Sequence, residues 1–274
     1  MRTHHPLEEK IRMNKNIASL VAAAFVASGS AHADMLYTVL DNTNTFASIN
    51  PNTLAVTAIG ATGATGDFGD LAYDSVSRTM YWVAGRGNNN LYTINMNTGA
   101  ATLVGSHGVN DMFSLGWSGT GLYAQATNGA VYQLNTSNGS ATMIGSNNIY
   151  PGGFDFNTVT GQMISISAGA GDIKSINLSN GSATQLGNSG NVNDADIAFD
   201  AGRNRYWVSD YSHNLFAYDA TTFARTTVMN GTLPGPSAAL EYVGAVPEPE
   251  TYALLLAGLG LMGTVARRRR AARG

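Results

Sequence analysis

Leu91-Tyr92-Thr93-Ile94-Asn95-Met96-Asn97-Thr98-Gly99, continued by Ala100-Ala101-Thr102-Leu103-Val104-Gly105, decides the fold. Its first part alternates apolar and polar residues and is rich in aromatic and β-branched side chains, the period-2 pattern of a half-buried strand. Asn97-Thr98-Gly99 then supplies turn residues, with a glycine able to adopt positive φ. A second strand-like run follows and ends on an apolar residue plus glycine. The stretch therefore reads as one antiparallel hairpin.

Moving outward, the same hairpin recurs. Phe46-Ala47-Ser48-Ile49-Asn50 precedes it, and Val131-Tyr132-Gln133-Leu134-Asn135, Ile173-Lys174-Ser175-Ile176-Asn177 and Leu215-Phe216-Ala217-Tyr218-Asp219 follow it. Four of the second strands close on Ile59-Gly60, Val104-Gly105, Ile144-Gly145 and Leu186-Gly187, and the fifth ends at Val228-Met229. Those glycines are spaced by 45, 40 and 42 residues. Each unit holds four strand-like runs; in the second unit they are 70–73, 79–84, 91–95 and 100–104. A period of that length with four strands is the signature of a propeller blade. The alternative architectures are a linear β-solenoid and a β-sandwich; a 42-residue unit with four strands is too long for a solenoid coil.

Five repeats predict an all-β, five-bladed propeller over residues 34–245. The first unit begins at a second-strand match, Met35-Leu36-Tyr37-Thr38-Val39, and lacks an innermost strand. A leftover run at the other end, 238–243, matches Asp70-Leu71-Ala72-Tyr73. The C-terminal strand is therefore expected to complete the N-terminal blade and remove the open sheet edge.

Composition bounds the function. The chain has 274 residues, no cysteine and only 12% charged residues. Between Asp34 and Val243 it carries 14 acids and 6 bases, a net charge of −8, which disfavours phosphate-rich partners such as nucleic acid and leaves cations and neutral glycans open.

The two ends read as addresses. Lys10, Arg12 and Lys15 precede an apolar run from Ile17 to Val26 and the small-residue site Ala31-His32-Ala33, so residues 1–33 read as a secretory signal peptide with Asp34 as the first mature residue. At the C-terminus, Pro247-Glu248-Pro249 is followed by an apolar run from Tyr252 to Ala266 and then by Arg267, Arg268, Arg269 and Arg270. A helix of about 15 residues is about 22 Å long against a bilayer core of about 30 Å, so this is a short transmembrane span. The arginines would hold its end on the cytoplasmic side. This order of motif, apolar run and arginine cluster resembles the PEP-CTERM sorting signal of Gram-negative bacteria that make exopolysaccharide. The resemblance covers residues 246–274. It implies an exosortase, a membrane protease acting near Pro247-Glu248-Pro249, as partner, and the cell envelope, surface or extracellular matrix as destination.

Within the repeat domain, the longer connections (61–68, 106–110, 146–151, 188–193 and 230–236) share one face, where binding is expected. Asp67, Asp70, Asp111, Asp194 and Asp196 approach that channel mouth and could hold a hard cation such as calcium. The competing reading, which weighs more, is that they cap loops or sit in solvent. Trp117, Tyr150 and Tyr211 are expected near the same loops, where an aromatic ring beside Asn and Asp suits sugar stacking. No catalytic constellation is evident: His107 and His213 fall in different blades, and no nucleophile elbow occurs. The expectation is a non-enzymatic binding or structural protein associated with exopolysaccharide and needing no cofactor. The alternative is a propeller hydrolase or lactonase using the mouth aspartates with a bound cation.

Overall fold

The structure, a computed structural model, describes residues 34–188, 190–237, 239–245, 258, 259 and 262. Residues 34–244 form one compact unit. The expected signal peptide, the Pro247-Glu248-Pro249 motif and Arg267 to Arg270 lie outside the described residues, as does most of the apolar run. Gly258, Leu259 and Met262 are helical. Among the described residues no helix is long and apolar enough to cross a membrane.

Among the described residues, twenty strands form five antiparallel sheets of four. Blade 1 combines β1 (Met35–Leu40), β2 (Thr45–Ile49) and β3 (Val56–Ala61) with the last strand, β20 (Glu241–Val243). Blade 2 holds β4 (Asp70–Asp74), β5 (Thr79–Val83), β6 (Asn90–Ile94) and β7 (Ala101–Ser106). Blade 3 holds β8 (Met112–Trp117), β9 (Leu122–Ala126), β10 (Ala130–Leu134) and β11 (Ala141–Ser146). Blade 4 holds β12 (Pro151–Asn157), β13 (Gln162–Ser167), β14 (Asp172–Ile176) and β15 (Ala183–Asn188). Blade 5 holds β16 (Asp196–Asp200), β17 (Arg205–Ser209), β18 (Leu215–Asp219) and β19 (Arg225–Met229).

The expected closure is present. β20 pairs with β1 in the register Met35↔Val243, Leu36↔Tyr242 and Tyr37↔Glu241, so one blade is built from both ends of the domain. The innermost strands β20, β4, β8, β12 and β16 neighbour one another in that order and return to β20. A buried hydroxyl pair, Thr38 with Ser237 at 2.6 Å, adds to the seam.

The repeated apolar-glycine ending has a packing cause. A Cβ on Gly60 would overlap the Thr98 carbonyl oxygen, one on Gly105 that of Asn138, and one on Gly145 that of Asn180. These three fourth-strand glycines thus receive the backbone of the next blade's hairpin turn, whereas Gly187 receives the Phe223 side chain. The register shifts opposite this glycine in these blades, for example between Leu91 and Tyr92, so the outer strand bends where the neighbour approaches.

Those hairpin turns are capped alike. Asn50, Asn95, Asn135, Asn177 and Asp219 accept, through Oδ1, the amide of the second residue onward. Their carbonyls accept the fourth amide onward, which belongs to a residue with positive φ: Leu54, Gly99, Gly139, Gly181 and Phe223. Apolar residues of adjacent blades fill the gaps between sheets, with Trp82 and Trp207 each 1% exposed at equivalent second-strand positions.

Candidate functional site

The innermost strands decide what the axis can do. Aligned through their inter-blade hydrogen bonds, they read Asp70-Leu71-Ala72-Tyr73, Ser114-Leu115-Gly116-Trp117, Gly153-Phe154-Asp155-Phe156, Asp196-Ile197-Ala198-Phe199 and Ala239-Leu240-Glu241-Tyr242. At the first position two residues are acids, Asp70 and Asp196; at the third two others are, Asp155 and Glu241. The remaining members of both levels are Ala, Gly or Ser. A crowded axis has room for a few carboxyl groups only because their neighbours are small.

Each of these acids ties its blade to the next. Asp70 accepts the amides of Leu71 (2.6 Å) and, across the blade boundary, Leu115 (2.6 Å). Asp196 accepts those of Ile197 and Leu240 (2.6 and 2.5 Å). Asp155 accepts those of Phe156 and Phe199 (2.6 and 2.5 Å). Glu241 accepts those of Tyr242 and Tyr73. The Asp70 and Asp196 carboxyl groups also hydrogen-bond to each other, which requires a proton between them. Burial is the first cause that raises all four: Asp155 to about 7, and Asp70, Asp196 and Glu241 well above the usual carboxylate range. The facing Asp196 raises Asp70 further, and Asp155 does so for Glu241.

Asp70 and Asp196 were expected at the variable-loop mouth; both lie inside the ring, fully buried, with their oxygens committed to amides and to each other. The other three do stay near that mouth. Asp67 is ion-paired with Arg86 at 3.2 Å and both are exposed. Asp111 and Asp194 adopt positive φ, 51° and 45°, in the turns entering β8 and β16. Among the described residues no group of three or more His, Asp or Glu side chains converges as a metal site would require.

The variable-loop mouth is closed by stacked rings. Phe68 lies between Phe113 (centroids 5.5 Å apart) and Tyr211 (4.6 Å), both nearly parallel to it. Tyr150 meets Phe113 edge-on at 6.2 Å and is 46% exposed. The Arg86 guanidinium sits 4.4 Å from the Phe68 centroid, a cation–π contact that completes the plug. Beneath the rim Asp41 receives the Phe68 amide at 3.4 Å, and burial raises it to about 7. The expected pair Tyr150 and Tyr211 is thus brought to one face, joined through Phe68 and Phe113.

Trp117 is not part of that group. It ends β8 at the opposite mouth, where it stacks on Tyr81 with centroids 6.3 Å apart. There it belongs to a ring that the sequence reading missed. Tyr73, Trp117, Phe156, Phe199 and Tyr242 are the fourth residues of the five innermost strands, and together they wall a cavity of about 250 Å³. Two positions onward in each blade the rim carries Ser75, Gly119, Thr158, Ala201 and Gly244, all small. Asp155 and Glu241 line the same cavity. An aromatic-x-small signal at the end of each first strand could have revealed it.

His107 is buried in the connection that enters blade 3. Its Nδ1 accepts the Val109 amide at 3.3 Å, and burial lowers its pKa to about 4. It is neutral at ordinary pH and braces the loop entering blade 3.

Comparison with known proteins adds an address and a fold. Residues 245–270 match the PEP-CTERM protein-sorting motif. No curated protein matches the chain. Among solved structures, a chain from the crystal structure of a nidogen/laminin complex is similar over 77% of this chain and 98% of its own length, at 11% identity and a TM-score of 0.48. A structural-genomics protein of unknown function from Bacteroides thetaiotaomicron is similar over 80% of this chain and 66% of its own length, at 14% identity and a TM-score of 0.53. At such identity the latter likeness concerns fold alone. The chain therefore joins a five-bladed β-propeller to a PEP-CTERM sorting motif, which implies processing by exosortase, a membrane protease, and delivery to the cell envelope or surface.

Proposed function

We propose that the chain is a non-enzymatic binding or structural protein of the exopolysaccharide layer, held there by its sorting tail and engaging polymer through the variable-loop face. The observation that carries this is the aromatic stack of Phe113, Phe68 and Tyr211 with Tyr150 exposed at its edge. Tyr150 and Tyr211, held in place by their contacts with the buried Phe113 and Phe68, offer apolar faces to a sugar at little ordering cost. Asn193, whose amide nitrogen donates to the Ser212 hydroxyl at 2.9 Å, and the Asp67–Arg86 pair supply polar groups around them. The buried acids act in this reading as ties between blades.

The test is retention of the full chain on the exopolysaccharide of the producing cell. Tyr150→Ala and Tyr211→Ala are each expected to lower retention by about fivefold to tenfold, the loss expected for removing one stacking ring. Retention of both variants equal to the parent, or no retention of the parent on any such polymer, contradicts the proposal.

A further inference from the structure

The cavity at the mouth opposite the variable loops has a chemistry of its own. Five aromatic side chains, one from each blade, form its wall, and the carboxyl groups of Asp155 and Glu241 lie within it. Four of the five, Tyr73, Trp117, Phe156 and Tyr242, are only half-buried, although most aromatic residues of the inner strands and blade cores are fully enclosed. The small residues Ser75, Gly119, Thr158, Ala201 and Gly244 keep the rim open.

We infer that this mouth is a binding site for a trimethylammonium group, held by cation–π contact with the five-blade aromatic wall, with the Asp155 carboxylate lining the same cavity.

Shape, size and charge carry the inference. A circular wall contributed by five blades surrounds a rounded group, whereas a sugar ring calls for a flat platform with hydrogen-bonding neighbours. At about 250 Å³ the cavity is smaller than the roughly 300 Å³ at which drug-sized pockets begin, and it suits a head group of a few heavy atoms. A metal ion would need several converging oxygen ligands, and among the described residues no group of three or more His, Asp or Glu side chains converges. A quaternary ammonium has no N–H to satisfy and spreads its charge over methyl groups, so aromatic faces are its complement. The cations near this mouth do not neutralise it. Arg203 is engaged by Asp200 at 2.8 Å and Asp34 at 3.3 Å, and donates to the Tyr242 hydroxyl at 3.4 Å. Arg78, close to Tyr73, is opposed there by Asp74.

Titrations of the full chain at about pH 8, where Asp155 is ionised, give the test. The ligands are tetramethylammonium, choline, phosphocholine and 3,3-dimethylbutan-1-ol, the uncharged shape-mimic of choline. Trp117 emission reports occupancy, since Trp82 and Trp207 are enclosed in the core. The expected result is saturable binding of choline, with the uncharged mimic at least about tenfold weaker. Tighter binding of choline than of phosphocholine assigns the site to a free small molecule, and the reverse order to an esterified head group. Phe156→Leu and Asp155→Asn, each checked for a native melting transition, are expected to weaken choline about tenfold while leaving the uncharged mimic unchanged. Equal affinity for choline and its mimic overturns the inference without recourse to any variant. So does a folded chain that binds neither.

Discussion

At the scale of single residues, glycines without side chains decide how close the blades come. Gly105 ends β7 where the Asn138 carbonyl of blade 3 approaches, and the same contact recurs at Gly60 and Gly145. Gly105→Ala places a methyl group against a backbone oxygen that is fixed in a capped turn and has little freedom to withdraw. The expected cost is about 2–3 kcal/mol in urea unfolding, the range of an overpacked core. Gly63→Ala, which meets open space, serves as the contrast; its cost comes only from its φ of 76°. This periodic glycine was legible in the sequence as a spacing near 42 residues. Its reason was not, because the atom it makes room for belongs to the following repeat.

The innermost strands are the element on which stability depends most sensitively. Asp70, Asp155, Asp196 and Glu241, together with Asp41 at the loop rim, have folded-state pKa values raised above those of an unfolded chain, burial being the leading cause. A raised carboxyl binds more protons folded than unfolded, so its contribution is complete below about pH 4 and is lost as pH rises through the folded value. Asp41 and Asp155 place much of that loss between about pH 4 and 7. His107, lowered to about 4, acts in the opposite sense, as its neutral form is favoured in the fold and stability falls when pH drops from about 6.5 towards 4. Asp172 and Asp219, both lowered by hydrogen bonds, also lose their contribution on acidification, below about pH 4. Five raised groups outweigh one histidine within the window. The melting temperature is therefore expected to fall from about pH 5 to about pH 8, and the slope to flatten in Asp155→Asn. A melting temperature rising across that range would contradict the assignment of buried, proton-retaining carboxyls. Strand order and hairpin turns could be read from the alternation of residues and the Asn-Gly turns. The axial acids could not, since a strand such as Asp196-Ile197-Ala198-Phe199 looks the same whether its aspartate faces solvent or the amide of Leu240 in another blade. For the same reason Trp117 was expected near Tyr150 and Tyr211: residue order along β8 does not say which mouth its last residue reaches.

For the whole molecule, one closed ring carries two unlike mouths. One is plugged by stacked rings and faces the variable loops; the other is an aromatic-walled cavity with carboxyl groups inside it. The fivefold placement of that wall exists only if all five innermost strands hold a common register, and the fifth of them is the short strand β20 paired to β1. Closure also leaves β1 with partners on both sides and sets the edge strand β20 innermost, beside β4 and β16. Native-state hydrogen exchange on the full chain measures this directly. Amides of β1 and β20, and the adjoining Leu240 amide bonded to Asp196, are expected to exchange as slowly as those of β4, β8, β12 and β16, through one global opening. Fast, independent exchange of Met35–Leu40 and Glu241–Val243, with the other strands still protected, would contradict a ring closed by its C-terminal strand.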